Sequence, residues 1–301
     1  MIKESVSNKL FNAFNIFLML LVCAVMLFPY VNVLAYALND GLDAARGGIW
    51  IFPRVFTLDN FKVLVKNKEI INSLFVSVSR VVLGTSFALI IQFSCAYAFS
   101  KKNLPFKQAI LVFLMIPMYF GGGIIPVYLL YAKMNLLNNF LVYILPVSFS
   151  LYNMVIIRTY LYSIPESLEE SARIDGANEI IILFRIILPL SLPILATVGL
   201  WSAVSHWNDW TTTLYFVTNS RIYTLQYILM QVLKESDRIA KLVQEAIESG
   251  NEGMVGTLQR AATPESVKAA QIILTSLPIV MVYPFLQKYF IKGVSLGAVK
   301  E

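Results

Sequence analysis

Apolar residues run along this chain in long stretches rather than alternating with polar ones. A helix needs roughly 20 largely apolar residues to cross a bilayer, and about six stretches reach that length, beginning near Phe11, Ile71, Ile110, Phe140, Pro189 and Ala270. The pattern predicts an all-α integral membrane protein with about six transmembrane helices. The first apolar run, residues 14–38, follows Lys3 and Lys9, and Ala35-Tyr36-Ala37 has the small residues of a signal-peptidase site. The run exceeds the roughly 7 to 15 residues of a signal h-region, so it reads as a retained helix.

Two regions break the apolar pattern. In the first, residues 163–188, Ser163-Ile164-Pro165-Glu166 has the spacing of a capping box with proline in the first turn, which predicts a helix start at Ser163. That helix meets Asp175-Gly176, where glycine can take the left-handed C-terminal position. A second short helix follows, with Ile180, Ile181, Phe184, Ile187 and Leu188 at near-helical spacing, until Pro189 interrupts the ladder. The residues alone leave open whether this helix-turn-helix docks a partner or rests on lipid headgroups. In the second region, residues 219–267, Leu225, Ile228, Leu229, Val232, Leu233, Ile239, Val243 and Ile247 predict an amphipathic helix ended by Gly250-Asn251-Glu252-Gly253. It either seats an external protein or covers the mouth of the bundle.

Composition narrows the class. Hydrophobic residues make up 57% and charged residues 14%, with a mean hydropathy of +0.68, well outside the soluble range. The net charge of +6 forms no basic stripe suited to nucleic acid; its lysines and arginines fall at the ends of apolar segments. Lys3, Lys9, Lys101, Lys102 and Lys107 place their segments, and with them both termini and the 163–188 loop, on the cytoplasmic side. Residues 219–267 then lie outside. Cys23 and Cys95 sit in apolar stretches and suggest neither disulfide nor metal site. No Gly-x-x-x-x-Gly-Lys-Ser/Thr loop and no His-Glu-x-x-His occurs, and the one histidine, His206, suits packing at a helix end.

Arg80 is the one plainly intramembrane charge, with Asp209 near the end of the fifth span. A carboxylate relay of the kind ion-coupled transporters use is therefore hard to build. A membrane enzyme lacks a nucleophile-base pair. Gly121-Gly122-Gly123 followed by Pro126 should break the third span, either to line a water-filled path or to pack closely on another helix. Tyr119 and Gly122 are candidates for such a path. Tyr152, Asn153, Trp207 and Asn208 combine aromatic faces with amides, a set that suits sugar stacking and hydroxyl bonding, while the tryptophans fit an interfacial belt equally.

Glu170-Ser171-Ala172, Asp175-Gly176-Ala177 and Ile186-Ile187-Leu188-Pro189 resemble the EAA signature of binding-protein-dependent ABC importer permeases, with Ser171 in place of the middle alanine. Met118 to Pro126, Trp207-Asn208-Asp209-Trp210 and Tyr283 to Phe290 extend the resemblance to carbohydrate-importing, maltose-permease-like subunits. The resemblance implies a type I importer fold with one extra N-terminal span in residues 1–69 and the permease core in residues 70–301. It makes Glu170, Ser171, Ala172, Asp175, Gly176 and Ala177 the ATPase-coupling residues and implies no catalysis in this chain, ATP and Mg being bound by the partner ATPase. It further implies two ATPase subunits, a second and different permease chain, an extracytoplasmic solute-binding protein, an oligosaccharide substrate and a bacterial or archaeal cytoplasmic membrane. In maltose-type systems the partner permease holds the main sugar site.

Overall fold

A computed structural model describes residues 6–248 and 264–298. Among them the chain is helical, with no strand and a single isolated bridge between Asn39 and Phe56. Two compact units form. One contains Met1–Lys68 with Leu229–Leu277, the other Glu69–Ile228 with Pro278–Glu301.

In the first unit α1 (Val6–Ala37) is apolar on every face, and none of the 18-residue window that marks it as a span is buried. A helix hydrophobic all round belongs in lipid or against other chains. After it the chain folds back through α2 (Gly41–Ala44) and α3 (Asp59–Lys66). Asn39 fixes this return: its side-chain carbonyl accepts from the Arg54 and Val55 amides, both at 2.8 Å. The Arg54 Nε donates to Asp43 at 2.9 Å.

The second unit is organised by α4 (Lys68–Ser100). Its buried positions include Ser73, Ser77, Arg80, Gly84, Ala88, Gln92 and Ala96, a seam of small and polar residues at three- and four-residue steps. Phe75, Val82, Phe87 and Ile90 point outward. This inversion, apolar outside and small or polar inside, is what a lipid solvent selects. Gly84 is required by the packing: a Cβ there would lie 2.5 Å from the His206 ring. The histidine thus packs against α4.

Among the described residues three helices are single spans by length and composition: α1 over Ser7–Ala37, α4, and the Glu265–Val282 part of α14 (Glu265–Ala298). Two more are bent pairs. Helices α5 (Lys107–Tyr119) and α6 (Ile124–Lys133) meet at 115° across the glycine run, as the sequence predicts for a broken span. Close packing among the described residues does not explain the glycines, because none of their atoms lies within 4 Å of a Cβ at Gly121 or Gly123.

The second pair meets at 78°. It consists of residues 179–190, which include α9 (Glu179–Ile182) and α10 (Leu188–Leu190), and of α11 (Leu192–Asn208). The break therefore falls at Ser191 rather than at Pro189. Pro189 is accommodated by a π-turn over Leu183–Ile187, and a wide turn before a proline relieves the clash with its i−4 carbonyl.

The span expected from Phe140 is not one helix. A 3₁₀ turn at Phe140–Tyr143 is followed by irregular chain and then α7 (Leu151–Leu161), only 11 residues long. Pro146 lies between them; it lacks an amide proton and disfavours helix in the residue before it. The amphipathic pattern read over residues 225–247 does form a helix, α13 (Leu225–Glu248). The glycine break expected at Gly250 to Gly253 lies outside the described residues.

Candidate functional site

The charged loop is built on α8 (Ser167–Ile174). The capping box expected at Ser163 does not form. The Ser163 hydroxyl donates to the Tyr160 carbonyl at 2.7 Å, closing off α7, while the Glu166 carboxylate accepts from Lys102 at 2.6 Å. Backbone bonds begin instead at Pro165 and Glu166, whose carbonyls accept from Leu168 and from Glu169 and Glu170. The C-terminal end follows the expectation. Gly176 has φ +82°, its amide donates to the Arg173 carbonyl at 3.0 Å, and the Ala177 amide donates to Ala172 at 2.9 Å. These are the paired bonds of a Schellman motif. Asn178 then caps α9, its side-chain oxygen accepting from the Ile181 amide at 2.9 Å.

The loop is two-faced. Ala172 is 9% exposed and joins a core with Met154, Ile157, Ile182 and Ile187, against which Ala177 also packs. Those two alanines are small because the loop lies close on its own bundle. Glu170, Ser171, Asp175 and Gly176 are exposed, and Ile174 is 87% exposed. The apolar face of the second short helix differs from the near-helical spacing read in sequence: Ile182 and Ile187 are buried while Ile180 and Phe184 are exposed. Five residues separate the buried pair, the spacing that a π-turn brings onto one side.

Beneath the loop lies a ring of ionic and polar contacts. Glu169 accepts from Lys101 and, at 3.1 Å, from Arg173. Arg173 also donates through Nε and Nη2 to Glu179 Oε1, at 3.0 and 2.8 Å. The other Glu179 oxygen accepts from the Tyr97 hydroxyl at 2.7 Å and lies 3.5 Å from Lys101 Nζ. Lys101 Nζ also stands 4.0 Å over the Tyr97 ring. The Tyr97 hydrogen bond, with Arg173 and Lys101 beside it, holds the Glu179 carboxyl below its ordinary value against some desolvation. The Glu179 partner in turn raises Arg173.

Further along α4, two cavities adjoin α11. One, of about 660 Å³, is lined by the expected Tyr152 and Asn153 together with Ser150, Ser202, Thr212 and Arg80. The other, of about 900 Å³, is mostly apolar and is lined by the expected Trp207 and Asn208. Trp207 is 6% exposed, whereas Trp201, 42% exposed, borders both cavities. Tyr119 and Gly122 lie at the exposed α5–α6 break and line neither. Arg80 is buried and pairs with Asp209, whose backbone carbonyl also accepts from it at 2.8 Å. Asp209 in turn accepts from the Thr211 and Thr212 amides, at 2.9 and 3.1 Å.

Residues 81–296 match the family of binding-protein-dependent transport system inner membrane components. The chain belongs to that family. This permease is 36% identical to protein LplC of Bacillus subtilis (strain 168), over 98% of this chain and 96% of that protein. It is 32% identical to the polygalacturonan/rhamnogalacturonan transport system permease protein YtcP of the same organism, over 97% and 99%. A chain in the crystal structure of a bacterial ABC transporter involved in importing the acidic polysaccharide alginate superposes with a TM-score of 0.82. The two are 26% identical, and the match covers 96% of this permease and 100% of that chain.

Sequence reading of the permease missed Tyr97, Lys101, Glu169 and Glu179. Lys101 enters that reading as a marker of membrane orientation, and its partner Glu169 is 68 residues away. The available signal was the excess of acidic residues at 166, 169, 170, 175 and 179 facing three lysines at 101, 102 and 107.

Proposed function

We propose that this permease forms half of the translocation pathway of an ATP-driven importer that receives oligosaccharides from an external solute-binding protein. The observation that carries the reading is the outward turn at residues 170–176. There a short helix, closed by Gly176, exposes Glu170, Ile174 and Asp175, and neither carboxylate has a bond or ion pair among the described residues. An apolar residue flanked by unpaired acids on a fixed turn is a docking surface, and an ATPase subunit is the partner that the EAA pattern implies. The chain lacks a phosphate-binding glycine loop, so ATP and Mg belong to two separate ATPase subunits and this chain is not an enzyme. The second permease is a different chain.

The names of the relatives, for polygalacturonan/rhamnogalacturonan and alginate transport, support a carbohydrate substrate. The 660 Å³ cavity supports it chemically, since Asn153 and Thr212 can bond hydroxyls beside the Tyr152 and Trp201 rings. Tyr152 and Asn153 belong to the pathway in this reading, with Trp207 and Asn208 beside it and Tyr119 and Gly122 at the α5–α6 break. The lysines at 101, 102 and 107 support a cytoplasmic face for the coupling loop and both termini, in the cytoplasmic membrane of a bacterium or archaeon. Uptake by a deletion strain, with and without this chain, across neutral and uronic oligosaccharides tests the reading. Chain-dependent oligosaccharide uptake is expected; uptake of only an amino acid or a metal ion overturns it.

A further inference from the structure

An eight-residue helix is too short to persist in water on its own, and α8 buries only Ala172. Something besides apolar packing holds it in place. The carboxylates of the loop divide by direction: Glu169 and Glu179 turn inward to Lys101, Arg173 and Tyr97, while Glu170 and Asp175 stay outward. The inward ring joins three elements, with Tyr97 and Lys101 at the end of α4, Glu169 and Arg173 on α8, and Glu179 at the start of α9. It is charge-balanced, two cations against two carboxylates. The Glu169 side chain is 15% exposed and Lys101 27%. A partly buried network with shared partners is the case in which ion pairs near a surface contribute more than isolated ones do.

We propose that Lys101 and Tyr97 are positioning residues that hold α8 in the orientation in which it drives, and is driven by, the ATPase. The proposal rests on reading α8 as the coupling element. Lys101 supplies the charge that both glutamates share, and Tyr97 fixes the far oxygen of Glu179. With the ring open, the membrane helices remain in place while the outward face of α8 loses its fixed direction. Nucleotide hydrolysis then runs without proportionate transport.

The complete transporter, reconstituted in vesicles with its binding protein and an oligosaccharide that it imports, gives the test. For Lys101→Met the sugar imported per ATP hydrolysed is expected to fall about tenfold, the scale of one charge-assisted hydrogen bond, with the ATPase subunit still bound. Lys101→Arg, which keeps the charge, should restore the ratio to within about twofold of wild type, a geometric penalty smaller than that of losing the charge. Glu169→Gln keeps the side-chain shape and should reproduce the Lys101→Met loss, which carries the test should Lys101→Met fail to insert. An unchanged ratio in both Lys101→Met and Glu169→Gln overturns the proposal. If Glu170→Lys on the outward face abolishes transport in the same assay, the coupling reading survives that failure; if Glu170→Lys is also silent, the coupling reading itself falls.

Discussion

Arg80 and Lys101 lie on or beside the same helix, yet their ion pairs work in opposite surroundings. Arg80 is 1% exposed, pairs with Asp209 and stands 4.6 Å from the centre of the Tyr143 ring. Lys101, 21 residues on, faces Glu169 and Glu179 at the edge of a charged loop. Desolvating two charges costs several kcal/mol per ion, so the first pair is expensive to assemble and more expensive to break. The second is only partly buried and can open without unfolding the bundle. The buried pair serves architecture: it ties α4 to the capped start of α12 (Thr211–Phe216). The partly buried ring serves orientation, where a modest energy suffices.

Arg80→Met presses this contrast hardest. It leaves the half-buried Asp209 carboxylate without its cationic partner, at a cost of up to about 3 kcal/mol, and should lower the thermal midpoint of the detergent-solubilised protein by the widest margin. Arg80→Met combined with Asp209→Asn should recover most of the loss; equal destabilisation of single and double variants would mean that the pair is not the organising contact.

Gly176→Val ranks next. Its site is open, with nothing within 4 Å of a Cβ, so the cost is backbone strain of about 1–2 kcal/mol in a left-handed conformation. Insertion and membrane packing should be normal, while coupled ATP hydrolysis and uptake are lost. A variant that fails to insert would move Gly176 from the coupling surface to the fold.

Acid should open the charged loop. Glu166 and Glu179 have carboxyls held below their ordinary value by Lys102 and by Tyr97 respectively. Their stabilisation is complete above the ordinary glutamate pKa of about 4.3, and it is lost as pH falls through the lower folded values. A spin label at Ser171→Cys should stay immobile from near neutrality down to that range and become mobile only below it. Mobility that changes between pH 6 and 8 would point to another group.

Lys102→Met should do least. Its pair with Glu166 is exposed on both sides, 79% and 60%, and solvent-exposed pairs contribute little to stability. Transport per ATP should stay near wild type, in contrast to Lys101→Met; an equal loss in both would erase the distinction between the ring and its surroundings.

Much of this was legible because it is local. The apolar run of α1, the break at Gly121 to Gly123, the turn at Gly176 and the stripe of α13 each follow from neighbouring residues. What escaped the sequence depends on partners far away or on unusual helical pitch. Ser163 and Glu166 have capping-box spacing, but Lys102, 64 residues distant, draws the carboxylate off. Tyr97 meets Glu179 across 82 residues. Ile182 and Ile187 share a face only because a π-turn lies between them, which a period of 3.6 cannot anticipate. Pro146 broke the fourth expected span because hydropathy counts apolar residues and ignores the missing amide proton.

Charge reversal at Glu170 tests the account most directly, because Glu170 is exposed and its carboxylate has no hydrogen bond or ion pair among the described residues. The measurement is retention of the ATPase subunit, ATP hydrolysis and oligosaccharide uptake by Glu170→Lys in the reconstituted transporter. The account predicts normal insertion with loss of substrate-stimulated hydrolysis and uptake by about tenfold or more, as expected when one charge of a docked pair is inverted. Wild-type retention, hydrolysis and uptake would contradict it.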